Sequence, residues 1–212
     1  AAMLIEPVLG EGGYVVPPAS FLKGVREMCD RHGILLIADE VQSGFGRTGR
    51  WFAYEHFDLR PDIVTVAKGL ASGLPISGVF SRMELMKKWE PGTHGGTFGG
   101  NVISAAAGVA TIRAMREEKM VDNARQRGEQ LVAGLRHLQE QYPNIGDVRG
   151  LGLMVGVEFR DAHGKPDKPA AKDVIHACLD RKLLLLSCGP WDNTIRFIPP
   201  LVVSPAQIQD GL

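Results

Sequence analysis

ILLIADEVQSGFGRTG, residues 34–49, is the stretch on which the reading of the fold turns. Residues 34–38 are uniformly apolar. The run is too short for an ordinary helix and lacks the alternation of a half-exposed strand, so it reads as a strand buried on both faces. Such strands belong to parallel sheets covered by helices. The run leads directly into two carboxylates, Asp39 and Glu40, and then into a polar tail spaced by glycines. In open α/β sheets ligands bind beyond the carboxyl ends of the strands, which makes Asp39 a candidate for chemistry. Alternation turns Glu40 the other way, toward a structural hydrogen-bond network.

On the N-terminal side, residues 19–32 carry Phe21, Leu22, Val25, Met28 and Cys29 at helical spacing, with Pro17 and Pro18 before them and Gly33 after. On the C-terminal side, DIVTVAKG (residues 62–69) is a second buried strand and ISGVF (residues 76–80) a third. GTHGGTFGGN, residues 92–101, opens into a helix at 102–116, and the next helix, 123–142, puts Leu131, Val132, Leu135 and Leu138 on one face. The rhythm changes after Pro143. LMVGVEF (residues 153–159) alternates, as in a sheet with one covered face. A helix at 170–181 and strands at 183–186 and 194–198 follow, with a polar loop at 161–169. The expected fold class is α/β. Residues 1–125 supply part of a large, mostly parallel sheet domain, and residues 126–212 a small C-terminal α+β domain.

Bulk composition excludes several classes. Lys+Arg 24 against Asp+Glu 24 leaves no basic excess, so nucleic acid and anionic membranes are not expected partners. Cys29, Cys178 and Cys188 are odd in number and lack CxxC spacing, which argues against a disulfide framework or a zinc site and for a reducing, cytoplasmic setting. The histidines show no HExxH pairing, so no metal is expected. No apolar run approaches transmembrane length, and the first residues do not resemble a signal peptide.

Two of the buried strands end in ionisable residues, Asp39 after Ala38 and Lys68 after Ala67. One reading is an ion pair, or two charges reaching solvent. The other starts from the lysine, whose amine becomes nucleophilic when its pKa is lowered and can then form a Schiff base. Pyridoxal phosphate (PLP) needs such a lysine, an acid beside its ring nitrogen and a cradle for its phosphate. Residues 95–101, before the helix at 102, are candidates for that cradle. A tight turn explains the glycine run equally well; the three features taken in order carry the PLP reading.

Five blocks then converge: IEPVLGEGGY (5–14), LLIADEVQSGFGRTG (35–49), DIVTVAKGLASGLPISG (62–78), GGTFGGN (95–101) and LSCGPWDNTIRFIPPL (186–201). Together, and in this order, they resemble the class III (omega-amino) PLP-dependent aminotransferases, nearest to the 4-aminobutyrate group. The resemblance implies the PLP-dependent transferase fold of type I. It implies that Lys68 holds PLP and moves the proton, that Asp39 pairs with the ring nitrogen, that Val41 packs on the ring and that Gln42 bonds its phenolic oxygen. Thr97 would contact the phosphate of a neighbouring subunit's cofactor, which implies a homodimer with a shared active site. Arg196 would bind the α-carboxylate of glutamate or 2-oxoglutarate, and Glu11 would neutralise Arg196 when an amine without that carboxylate enters. A permanent structural ion pair is the simpler account from the residues alone; the resemblance favours an exchangeable one. It also implies a C-terminal half, preceded in family members by further large-domain strands and followed by a last helix. On that reading the isolated chain is expected to be inactive.

The activity so implied is transamination of an omega-amino acid, best 4-aminobutyrate, with 2-oxoglutarate. Acetylornithine, ornithine or lysine-type aminotransferases are the alternatives. Two rivals explain less. A strand ending in Asp-Glu also describes a Walker B segment, but GxxxxGK[ST] is absent and Lys68 and Arg196 are left without a role. A dinucleotide-binding fold lacks GxGxxG after a strand.

Overall fold

In the computed structural model, which describes all of residues 1–212, the apolar run becomes strand β2 (Leu35–Asp39), lying between two parallel neighbours. Strand β1 (Ala2–Ile5) pairs on one side and β3 (Ile63–Val66) on the other, while β4 (Gly78–Ser81) is antiparallel to β3. The protein is thus mixed α/β with a parallel sheet. β3 is shorter than the expected 62–69, because the chain leaves the sheet at Ala67 and enters a short 3-10 turn, Lys68–Ala71. The third strand starts later than expected, at Gly78.

Helix α1 (Ala19–His32) connects β1 to β2 and buries Leu22, Val25 and Cys29 against Leu36 and Leu59. Each aliphatic side chain so buried contributes about 1.5–3 kcal/mol. Asp62 ties this layer together. Its Oδ2 accepts the Leu36 N–H at 2.9 Å and pairs with Arg26 of α1 at 2.9 Å, while Oδ1 pairs with Arg82 at 3.0 Å. Burial would raise the Asp62 pKa, but these donors outweigh it and hold the carboxyl below the usual range. After the short helix α2 (Met83–Met86), helix α3 (Val102–Glu117) begins at an Asn101 cap.

The chain packs as two compact units. The first comprises Ala1–Pro7, Pro18–Phe45 and Phe52–Lys119; the second comprises Val8–Pro17, Gly46–Trp51 and Met120–Leu212. A single division at 125/126 is therefore not how the packing falls: the change comes at Met120, and two early segments pack with the later one.

In the second unit an antiparallel sheet is ordered β5 (Ile145–Leu151), β6 (Met154–Phe159), β8 (Thr194–Phe197), β7 (Leu186–Cys188). Helices α4 (Met120–Gln141), α5 (Lys168–Asp180) and α6 (Pro205–Asp210) accompany it. Leu131 and Leu135 of α4 join Val148, Val155, Val157, Phe159 and Ile195 in one core. Two expectations are corrected here. The strand placed at 183–186 lies at Leu186–Cys188, because the Leu183 N–H closes α5 on the Cys178 carbonyl at 2.9 Å and Leu186 is the first residue paired with β8. The alternation at 153–159 does not mark a sheet with one bare face. Met154 and Gly156 are buried too, and Gly156 is covered by Gly13 and Tyr14 of the segment 8–17.

The turn between β5 and β6 is pressed closely on its surroundings. A Cβ on Gly128 of α4 would collide with the backbone carbonyl of Gly152 in that turn, and a Cβ on Gly152 with the backbone of Thr48, so the turn fits between the two only because both residues are glycine. Arg47 fixes the other side, donating to the carbonyls of Leu153 at 3.2 Å and Pro199 at 2.6 Å. Thr48 is buried in the same segment.

Asp62→Ala is expected to destabilise the protein by about 2 kcal/mol at pH 7, the scale of losing charge-assisted hydrogen bonds. With its folded pKa depressed, the contribution of Asp62 is full above the unfolded carboxylate value of about 3.9 and fades as pH falls through the folded value. Urea melts of wild type and variant at pH 7 and at successively lower pH check this: the gap between them should close with acidification.

Candidate active site

Parallel pairing sets Asp39 opposite Thr65, and Lys68 follows the end of β3, so the acid and the amine leave the carboxyl ends of neighbouring strands, on the same side of one sheet. Asp39 Oδ1 accepts the N–H of Val41 at 3.0 Å. Neither Asp39 nor Lys68 takes part in an ion pair, so the two charges do not neutralise each other. The hydroxyl of Thr65 is buried without a hydrogen-bond partner beside the Asp39 position.

Glu40 behaves as alternation suggests. It is fully buried, and its carboxylate accepts from Ser43 Oγ at 2.6 Å, the Ala53 N–H at 3.0 Å and the Tyr54 N–H at 2.8 Å. Burial pushes its pKa up against those donors. The network fixes the turn on which Val41 and Gln42 sit half-buried, directly after Asp39.

Lys68 has φ +43, a left-handed conformation that a non-glycine residue adopts at a cost of about 1–3 kcal/mol and that gathers at functional sites. Gly69 follows, where a Cβ would lie 3.2 Å from Phe45 Cβ. Lys68 and Thr97 line one cleft of about 920 Å³, walled by residues 73–77 and by the glycine run 94–101. The start of α3 does not offer all its own amides there. Asn101 Oδ1 already accepts the N–H groups of Ile103 at 3.1 Å and Ser104 at 3.0 Å. His94 lies against Trp89, ring centroids 5.3 Å apart. Asp39, Val41 and Gln42 do not line this cleft; the partnerless amine does, and the carboxylate free of any cation lies at the end of the neighbouring strand, an acid and an amine that suit a ligand carrying a reactive carbonyl and a basic ring nitrogen.

In the second unit Arg196 of β8 pairs with Glu11 at 2.5 Å. The partners differ in freedom: the Arg196 side chain is 16% exposed and that of Glu11 65%. Burial opposes the charge on Arg196, but the Glu11 carboxylate more than compensates and raises the guanidinium pKa. Tyr14 and Cys188 also face Arg196. Burial lifts the Tyr14 phenol to about 12 and the Cys188 thiol to about 11, so both are neutral at pH 7 and Glu11 is the anion at this cation. Tyr14 was not foreseen from the sequence; its left-handed backbone, φ 53, after two glycines is a signal only in retrospect.

Residues 1–212 match, over their whole length, the family described as aminotransferase class-III. The chain is 46% identical to the 5-aminovalerate aminotransferase DavT of Pseudomonas putida and 45% identical to the 4-aminobutyrate aminotransferase GabT of Escherichia coli, covering 100% of this chain and 50% of each relative. It spans about half the length of the curated relatives it matches. Among solved structures, an ornithine aminotransferase from Toxoplasma gondii, described with partial occupancy of PLP at its active site, superposes with a TM-score of 0.91 at 38% identity, over 100% of this chain and 48% of that one. Matched from end to end in sequence and in backbone, the chain belongs to the class III aminotransferases.

Proposed function

We propose that the protein carrying this chain is a PLP-dependent aminotransferase that moves the amino group of an omega-amino acid, 4-aminobutyrate or its close homologue 5-aminovalerate, to 2-oxoglutarate. The observation that carries the substrate reading is the Glu11–Arg196 pair, a half-buried cation held by an exposed carboxylate. An enzyme that takes an amine without an α-carboxylate in one half-reaction and glutamate in the other needs a counter-ion that can leave. Glu11 is the mobile partner, and its departure leaves Arg196 facing only neutral groups, ready for a substrate carboxylate.

When bound, PLP supplies a carbonyl for amine exchange and a ring that accepts electrons as the substrate C–H bond breaks. Lys68 Nζ would hold the cofactor and is the group placed to carry the proton. Asp39 keeps the ring nitrogen protonated through its carboxylate, the group left without a cation. Val41 would pack on the ring, and Gln42 would donate to its phenolic oxygen. Thr97 reaches the phosphate of a partner subunit's cofactor, which makes the working unit a homodimer. The exposed face of α3 supports this: Val102, Ile103 and Val109 are 78%, 67% and 60% exposed. No helix is long and apolar enough to cross a membrane, and the three cysteines are free, which suits a reducing cytoplasm.

Lys68→Ala in the holoenzyme should abolish transamination and remove borohydride labelling at position 68; retained turnover would refute the assignment. Asp39→Asn should lower kcat by about 10³-fold, with the cofactor still bound. Glu11→Gln should lower kcat/KM for 4-aminobutyrate about tenfold while leaving the glutamate half-reaction nearly unchanged, which stopped-flow measurement of each half-reaction resolves. Cofactor titration of the 212-residue chain alone separates an active protein from a silent one: no absorbance band near 420 nm would mean that this segment does not hold PLP by itself.

A further inference from the structure

Arg149 on β5, Gly156 on β6 and Arg196 on β8 are paired in register and form one row across the second sheet. Two arginines thus flank a residue with no side chain, and the hairpin 8–17 sits on that gap. A Cβ on Gly156 would stand 3.0 Å from Tyr14 Cβ and 3.5 Å from the Gly13 oxygen. The arginines grip different atoms of the same hairpin. Arg196 Nη1 holds the Glu11 carboxylate at 2.5 Å. Arg149 donates twice to the Gly13 carbonyl, from Nη2 at 2.7 Å and Nε at 3.1 Å. Its Nη1 is bound to Asp147 at 2.8 Å and Glu158 at 2.7 Å, so the guanidinium is itself immobilised. From the other side, the Gly189 N–H donates to the Glu11 carbonyl at 2.9 Å.

We infer that Arg149 is a positioning residue for carboxylate exchange at Arg196: it fixes the hairpin backbone so that the Glu11 side chain alone leaves and returns. The inference rests on the reading of Glu11 and Arg196 given above. A hairpin that swung away as a body would have to be ordered again at every turnover, against backbone entropy. Clamped at Gly13 and at Glu11 O, it loses only side-chain freedom. Lysine cannot substitute, because one ammonium does not hold a carbonyl twice while also bridging two carboxylates.

The test compares Arg149→Met, Arg149→Lys and Glu11→Gln in the holoenzyme. It measures both half-reactions and, independently of activity, hydrogen–deuterium exchange of the peptide containing residues 8–17. Arg149→Met should raise KM for 4-aminobutyrate about tenfold, the scale of a lost charge-assisted hydrogen bond, with kcat and the glutamate half-reaction little changed. Exchange at residues 8–17 should quicken, and adding Arg149→Met to Glu11→Gln should bring little further loss. Arg149→Lys, which preserves the charge and protects the fold, should show the same split at smaller amplitude. A split for Glu11→Gln with equal losses in both half-reactions, or unchanged exchange, for both Arg149 variants overturns the clamp alone. No split for Glu11→Gln overturns the exchange reading itself, and the role of Arg149 with it.

Discussion

A carboxylate without access to water must be satisfied by donors from the protein, and Glu40 is the group on which the geometry after β2 depends. Its three donors come from Ser43 and from the backbone of Ala53 and Tyr54, so one side chain closes the excursion that begins at Val41. Without it, the turn carrying Val41 and Gln42 would have no fixed relation to the strand that delivers Asp39. The cost of burying the charge is offset within a few residues of sequence, which makes the device local and stiff. Asp39, one residue earlier and on the opposite alternation, is left with a single backbone donor and open to a ligand.

The same division of labour recurs in the second unit. Arg47 is spent on backbone carbonyls alone and Arg149 on the Gly13 carbonyl and the Asp147 and Glu158 carboxylates, whereas Arg196 is spent on one carboxylate that solvent can reach. Burial lowers the pKa of Arg47, which has no carboxylate partner, while the acids around Arg149 raise its own. Arg47 and, at Gly13, Arg149 are tied to backbone atoms. The cation proposed to hold substrate is tied to a side-chain carboxylate instead.

Much of the fold was legible because the apolar pattern and its punctuation agree. The stripe at 19–32, bounded by prolines and Gly33, fits α1, and the uniform run at 34–38 fits a two-sided strand. β5 was not legible, because Asp147 and Arg149 serve the ion network and the hairpin, and two glycines interrupt what apolar period remains. The strand expected at 183–186 was misplaced because Leu183 and Leu185 are apolar for the core rather than for strand pairing. The alternation at 153–159 correctly marks the face toward the helices, but a glycine conceals the covering of the other face: Gly156 has no side chain to announce burial. At the candidate site, the acid, the lysine and the glycine run were visible as local motifs. Tyr14 and Arg149 were not, since each acts on a residue far away in sequence.

The seat of the hairpin on Gly156 has a consequence for how the protein is made. Segments 8–17 and 46–51 belong with a sheet whose strands begin at Ile145, so the second unit cannot be completed until those strands have emerged. Contacts between such distant positions carry a large loop-closure cost and slow the search for the native state. During that interval the early segments have nowhere to dock, and their apolar residues, Val8 and Tyr14 among them, are exposed. The order of synthesis therefore runs against the order of packing: segments 8–17 and 46–51 wait for strands made about a hundred residues later.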